Sequence, residues 1–342
     1  MNGIEIFGII GFALASYSVI ANDAIQTLGT FIRSNERKPW WMLWLFIAGI
    51  LVAVLAYGWA TQGSDVAFGR LETIPFPDGG IRWYHILPPL VLILLTRLTI
   101  PVSTTFLVLT MFALTGGKAT EGVLSKMLLK SALGYAVAFA VGIVIYAVIA
   151  RTYERWVDST KANAPSTFWY TMQWATTAFL WTQWLMQDLA NIFVFLPRDT
   201  VVGADGGVST VIAGSTVVLG GALTVGLLAY TLYRRGGHIQ EIVNNKTNTE
   251  DPRVGALVNV LFGVILFIFK EMSNIPMSTT WVFLGLIAGR ELAVSYIVGL
   301  RDRAEAMGDV TKDAGRLLFG LAVSVALAFF IPWIATGVMP TF

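Results

Sequence analysis

Apolar residues run along this chain in long blocks, and short polar stretches separate them. The blocks cover 3–32, 40–60, 86–98, 103–114, about 122–150, 167–197, 209–233, 254–270, a piece beginning at Pro276, and 317–338. Several reach the roughly 20 residues that a membrane-spanning helix requires. Only helices and closed barrels satisfy their backbone in lipid. A barrel would show short alternating segments, and none is seen. The pattern therefore predicts an all-α polytopic membrane protein. Polar stretches at 33–39, 61–85, 151–166, 234–253 and 301–316 read as the connecting loops.

Two of the blocks are interrupted in the same way. Residues 86–98 are too short to cross easily, and Thr99-Ile100-Pro101 parts them from 103–114. The residue before a proline avoids the helical region, so the chain is expected to break at Ile100. Residues 254–270 and the piece from Pro276 repeat the arrangement. Short, proline-interrupted apolar segments at matching places in two halves mark the sites of membrane transporters.

The halves match in detail. An amide-Asp-x-x-amide pattern occurs as Asn22-Asp23-x-x-Gln26 and as Gln187-Asp188-x-x-Asn191. Each is followed by Pro-x-Ser-Thr-Thr, once from Pro101 and once from Pro276. The prolines are offset by 175 residues and the aspartates by 165, a difference that loops absorb. We divide the chain into an N-terminal membrane repeat (1–150), a connecting loop (151–166) and a C-terminal repeat (167–342). Three crossings and one re-entrant pair per half is an odd number of crossings. The second half then enters the membrane upside down, and the motifs meet near the midplane. The loops at 33–38, 151–161 and 234–253 carry a small excess of Lys and Arg. By the positive-inside rule that face is cytoplasmic and both termini lie outside. Lys118, Lys126 and Lys130 argue the other way.

Composition supports the membrane reading and narrows the chemistry. Of 342 residues, 56% are hydrophobic and 13% charged, with a mean hydropathy of +0.69. That charged fraction is about half the value usual for soluble domains. Twelve Trp and ten Tyr suit interfacial belts. The net charge of +2 comes without a basic run, so nucleic acid is not a partner. With no cysteine there is no disulfide or thiolate metal site. The two histidines, His85 and His238, fall in expected loops and leave nothing for haem or zinc. The apolar N-terminus has no basic segment before it, so no cleaved signal peptide is expected. A phosphate-binding loop for ATP is absent, and no nucleophile, base or metal set has the spacing of an enzyme.

A carboxylate within a helical bundle is costly and marks a function. Asp23 and Gln26 share one helix face, as do Asp188 and Asn191. Carboxylate and amide oxygens are the hard ligands that an alkali cation accepts. We therefore take Asn22, Asp23, Gln26, Gln187, Asp188 and Asn191 as candidate cation ligands. The structural alternative is pairing of each aspartate with a buried cation such as Arg97, Lys270 or Arg290. In the second motif, proline suits a first helical turn, and the helix start favours negative charge. Ser103, Thr104, Thr105, Ser278, Thr279 and Thr280 then add hydroxyl donors for an oxyanion. Here the alternative is simple helix capping. Arg290-Glu291 reads as an internal ion pair or a helix end at the surface, and Gly285-x-x-x-Gly289 as helix packing.

These four motifs, in this order, resemble the inorganic phosphate transporter family, the Pit-type phosphate permeases. That family duplicates Gly-Ala-Asn-Asp-Val-Ala-Asn-Ala and Pro-Val-Ser-Thr-Thr-His. Ala21-Asn22-Asp23-Ala24 and Gln187-Asp188-Leu189-Ala190-Asn191 match the first, and the segments 101–105 and 276–280 match the second. Gln26 and Gln187 stand where the family has Asn, Phe106 and Trp281 where it has His, and Val194 where it has Gly. The resemblance implies a homodimeric symporter in the inner cell membrane that carries phosphate with sodium or protons. Asp23, Asp188 and Asn191 would bind the cation and the Ser-Thr-Thr triplets the phosphate. No resident cofactor is expected, since sodium serves as coupling ion. Sulfate is the alternative cargo, and a passive anion channel the alternative class.

Overall fold

The computed structural model describes residues 6–337, apart from 73, 75, 78, 116–121, 162, 164, 203–207, 246–248 and 273. Helix α1 spans Ile6–Ser34 and α2 spans Trp40–Thr61. After a loop and a 3-10 turn at Trp83–Ile86 comes the short α3, Leu87–Arg97. The chain then breaks and resumes as α4, a π turn at Thr105–Leu109 followed by Thr110–Thr115. The long α5 covers Val123–Ser159. The second half opens with α6, Thr167–Asp188, extended by Ala190–Phe193, and a small antiparallel hairpin of β1 (Asp199–Val202) and β2 (Val208–Val211). Helices α7 (Gly214–Tyr233), α8 (Gln240–Asn244) and α9 (Pro252–Met272) follow. Last come α10, Thr279–Ala293 with a π turn at Val294–Val298, and α11, Arg303–Thr336.

Among the described residues, seven helices are long and apolar enough to cross a membrane. Helix α6 is as long as these but less apolar, because its polar face turns inward. There Gln173 meets Asn35 at 3.1 Å, and Thr177 accepts from Asn259 of α9 at 2.8 Å. Thr30 of α1 donates to the same Asn259 at 2.9 Å. In lipid such hydrogen bonds act as glue between helices.

Helices α1 and α6 lie side by side and run in opposite directions, as do α2 and α7. The end of α1 meets the start of α6 through Asn35, which accepts from Trp174 at 3.1 Å. The end of α2 meets the start of α7, where Trp59 donates to Ile212 O at 3.2 Å. The start of α2 meets the end of α7, with Trp40 and Tyr233 rings 5.7 Å apart. The loops expected on one face do assemble there. Arg235 donates to Lys38 O at 2.7 Å, and Arg253 to Thr160 at 2.7 Å.

Four expectations are corrected. The stretch 151–166 is helical as far as Ser159, because Glu154 and Val157 are buried on one face of α5 and Arg290 of α10 neutralises Glu154 at 2.7 Å. The stretch 301–316 is helical from Arg303 onward. Asp302 caps it by accepting from the N–H groups of Ala304 and Glu305 at 2.9 and 3.0 Å. Residues 209–211 belong to β2 rather than to the span that follows. His85, expected in a loop, is a buried residue of the 3-10 turn.

Helices α5 and α10 pack with their backbones nearly touching. A side chain at Gly285 would place its Cβ 2.5 Å from Tyr135 O, and one at Gly142 would lie 2.6 Å from Leu286 O. This is the small-residue packing expected of the glycine spacing in α10. Arg290, fully buried, bridges Glu154 and Glu291 at 2.7 Å each, so the pair Arg290-Glu291 is internal.

Candidate transport site

The two proline breaks lie against each other at the centre of the bundle. Their contact is reciprocal. Thr105, fifth residue of the first motif, donates to Met277 O of the second at 3.1 Å. Thr280, fifth residue of the second, donates to Val102 O of the first at 3.3 Å. Phe106 and Trp281, which follow the two triplets, meet edge to face with centroids 5.5 Å apart. Thr99, just before the first break, holds a positive φ of 57°, a strained conformation that ends α3 sharply.

The serines behave as caps. Ser103 accepts from Phe106 N and Ser278 from Trp281 N, both at 3.2 Å. The capping alternative thus accounts for the serine hydroxyls, while the threonines point elsewhere.

Asp23 sits in a π turn, Ile20–Ala24, that interrupts α1. Such turns displace the side chains of a helix and recur at functional sites. The carboxylate collects donors from both halves. Asn22 reaches Oδ1 at 2.6 Å, Thr280 reaches the same oxygen at 3.0 Å, and Thr104 donates to Oδ2. Asn22 also donates to Val102 O at 2.6 Å. In the other half, Asn191 donates to Asp188 Oδ1 at 2.7 Å and to Thr104 Oγ1 at 2.9 Å. The chain turns at Leu189, between Asp188 and Ala190, which lets both side chains face the break. The two carboxylates lie within electrostatic reach of each other.

The free atoms of this cluster are mostly oxygens. Asn22 Oδ1, Asn191 Oδ1, Asp188 Oδ2 and Gln26 Oε1 are buried without a hydrogen bond. The Thr279 hydroxyl stands beside Asp188 in a looser contact than Thr104 makes with Asp23. The halves therefore differ at one point. Thr104 closes on Asp23, whereas the equivalent pair Thr279 and Asp188 is held more loosely. An array of unmatched oxygens around two neighbouring carboxylates has the chemistry of a cation site. Gln187 is engaged in packing, donating to Leu266 O of α9 at 3.1 Å.

None of the cations expected as alternative partners pairs with these aspartates among the described residues. Arg97 is exposed, Lys270 pairs with Glu271 at 2.8 Å, and Arg290 pairs as described. A residue that sequence reasoning missed comes closer. Arg70, in the loop after α2, is 2% exposed and within electrostatic reach of Asp188. Burial draws its pKa down to about 10, so it remains charged at neutral pH. Its sequence signal is weak. It lies among Val66, Ala67, Leu71 and Ile74, apolar residues that bury the loop.

A cavity of about 500 Å³ reaches toward the cluster from the face that carries the 234–241 turn. Tyr17, Thr96, Arg97, Arg234 and His238 line it, and it extends to Ala21, the residue before Asn22.

Fold and composition together define a polytopic helical membrane protein. A solved structure described as "The sodium-dependent phosphate transporter" shares this fold, with a TM-score of 0.56 over 97% of this chain and 98% of that one, at 14% sequence identity. No family model and no curated protein matches the sequence.

Proposed function

We propose that this protein is a secondary symporter that moves a tetrahedral oxyanion, inorganic phosphate first, with sodium as the coupling ion. One observation carries the reading. Threonines from both proline breaks and amides from both aspartate motifs converge on Asp23 and Asp188 in a single buried cluster. The shared fold with a sodium-dependent phosphate transporter supports it. The antiparallel helix pairs and the reciprocal threonine contacts support an inverted repeat, with 1–150 and 167–342 as its units.

The geometry suggests how coupling works. Two adjacent carboxylates repel an anion, so the oxyanion needs a cation beside it. Thr104 and Thr280 spend their protons on Asp23. A cation on Asp23 and Asp188, helped by the free amide oxygens of Asn22 and Asn191, competes for those carboxylate lone pairs. The threonine hydroxyls are then released to turn toward the anion, together with the N-termini of α4 and α10. Access alternates as the elements around the closely packed α5–α10 pair move against it. The cavity ending at Ala21 is the path on one face. On the same reading the protein is a homodimer of the inner cell membrane, both features resting on the family resemblance.

The test is uptake of radiolabelled phosphate and of sulfate into proteoliposomes, under an inward sodium gradient, an inward proton gradient, or neither. Concentrative phosphate uptake driven by sodium is expected. Uptake that follows protons changes the coupling ion, and preference for sulfate changes the cargo. Flux indifferent to any cation gradient replaces the symporter with a channel.

A further inference from the structure

The loop between α2 and the 3-10 turn buries two arginines and supplies an acid, and their hydrogen bonds differ in a telling way. Arg198, which packs against this loop from the end of α6, donates to Val194 O at 2.8 Å and to Ile74 O at 2.6 Å through its two terminal nitrogens. Asp65 accepts from Ala67 N at 2.7 Å and from Gly69 N at 2.5 Å, so both carboxylate oxygens serve the turn. Arg70 donates from Nη1 to Phe68 O at 3.0 Å, and its Nη2 is buried with no acceptor.

The loop is seated on the second proline break. Gly69 lies so close that a Cβ there would stand 2.6 Å from Asn274 Nδ2, and its φ of +77° also excludes a larger residue. Lys130 of α5 donates to Ile275 O of the same break at 2.8 Å. Ser131, its neighbour, accepts from Ser278 N at 2.8 Å, which holds the start of α10 in place. Arg70 thus follows a residue seated on this break and lies within electrostatic reach of Asp188. Its charge acts on Asp188 and on Lys130.

We infer that Arg70 is an anion-binding residue of the transport site, whose free Nη2 grips an oxygen of the oxyanion at the start of α10. The inference rests on the symporter reading and adds a residue to it. A buried guanidinium nitrogen without an acceptor is unfavourable, and an oxyanion oxygen is the acceptor its planar fork fits best. The positive charge also offsets the repulsion that Asp23 and Asp188 exert on the anion. Asp65 and Gly69 fix the loop that carries Arg70.

The test uses the full chain in proteoliposomes with radiolabelled phosphate under an inward sodium gradient. In Arg70→Gln the KM for phosphate is expected to rise roughly ten- to hundredfold, the loss of one charged hydrogen bond. The sodium concentration giving half-maximal rate should shift far less. Inorganic phosphate should raise the melting temperature of the wild type in detergent and leave that of Arg70→Gln unmoved. If Arg70→Gln folds and keeps the wild-type KM, Arg70 is a strut of the loop and the inference falls, while the symporter reading stands. Should that variant not fold, Arg70→Lys decides, since lysine keeps the charge without the planar fork. An unchanged KM there overturns the inference, and a severalfold rise supports it. A wild type that takes up neither phosphate nor sulfate removes the symporter reading and the inference together.

Discussion

Replacing Asp188 by asparagine isolates the coupling charge. The side chain keeps its shape, and Asn191 can still donate to the amide oxygen that replaces Oδ1. What disappears is a formal charge whose second oxygen is buried without a partner. At an effective dielectric near 20, a unit charge about 4 Å from a cation contributes ~4 kcal/mol. Losing it weakens sodium binding roughly a thousandfold, since each ~1.4 kcal/mol is a factor of ten. The fold should not suffer, because the change also relieves repulsion between Asp188 and Asp23. Two assays read the two halves of this statement. Sodium-driven phosphate uptake in proteoliposomes should vanish, while melting in sodium-free detergent stays at or above the wild-type temperature. Added sodium should stabilise the wild type and leave the variant unchanged, as expected when a ligand binds only one of them. Uptake at the wild-type rate, or an undiminished sodium shift in melting, refutes the coupling role.

Three further outcomes follow from named contacts. Thr280→Val removes the one hydroxyl donor shared between Asp23 and Val102 O and should lower phosphate uptake at least tenfold without loss of expression, as measured by the same uptake assay. Gly289→Val forces a side chain against Phe139 O and should lower the melting temperature in detergent by more than Gly226→Val, where nothing lies within 4 Å. Glu154→Gln leaves the buried Arg290 short of one partner, at a cost of about 3–5 kcal/mol. Its thermal unfolding should be correspondingly early, and Glu305→Gln, on the exposed end of the same network, should change it little.

Much of the site was legible because the chain states it twice. An aspartate between amides in apolar sequence is ambiguous alone, and its recurrence ahead of two Pro-x-Ser-Thr-Thr segments predicted the cluster now seen around Asp23. The reading was less complete where the structure departs from symmetry. Gln26 and Asn191 occupy equivalent motif positions by pattern, yet Gln26 has no hydrogen bond while Asn191 reaches Asp188 and Thr104, and Gln187, the counterpart of Asn22, holds α6 to α9 instead. The π turn at Asp23 has no period that a sequence reveals. Charge misled at two places: 151–159 and 303–316 look like loops by composition, while Glu154 is neutralised from another helix and Asp302 starts a helix. The sign of the second was present, as Asp302 with Glu305 three residues on is a capping pattern. Arg70 stayed hidden because only the folded loop brings it to Asp188.

The glycine contacts between α5 and α10 limit how this molecule can move. With carbonyls of one rod seated on the glycines of the other, and Arg290 bolting Glu154 across the seam, these two act mechanically as a single keel. Sliding or parting them would break backbone-level fit along several turns at once. On the proposed transport reading, gating comes from lighter parts: the strained corner at Thr99, the bend at Asp23 and the loop carrying Arg70. A crosslink joining α5 to α10 should leave turnover intact, while one anchoring the 62–72 segment to Asn274 should arrest it.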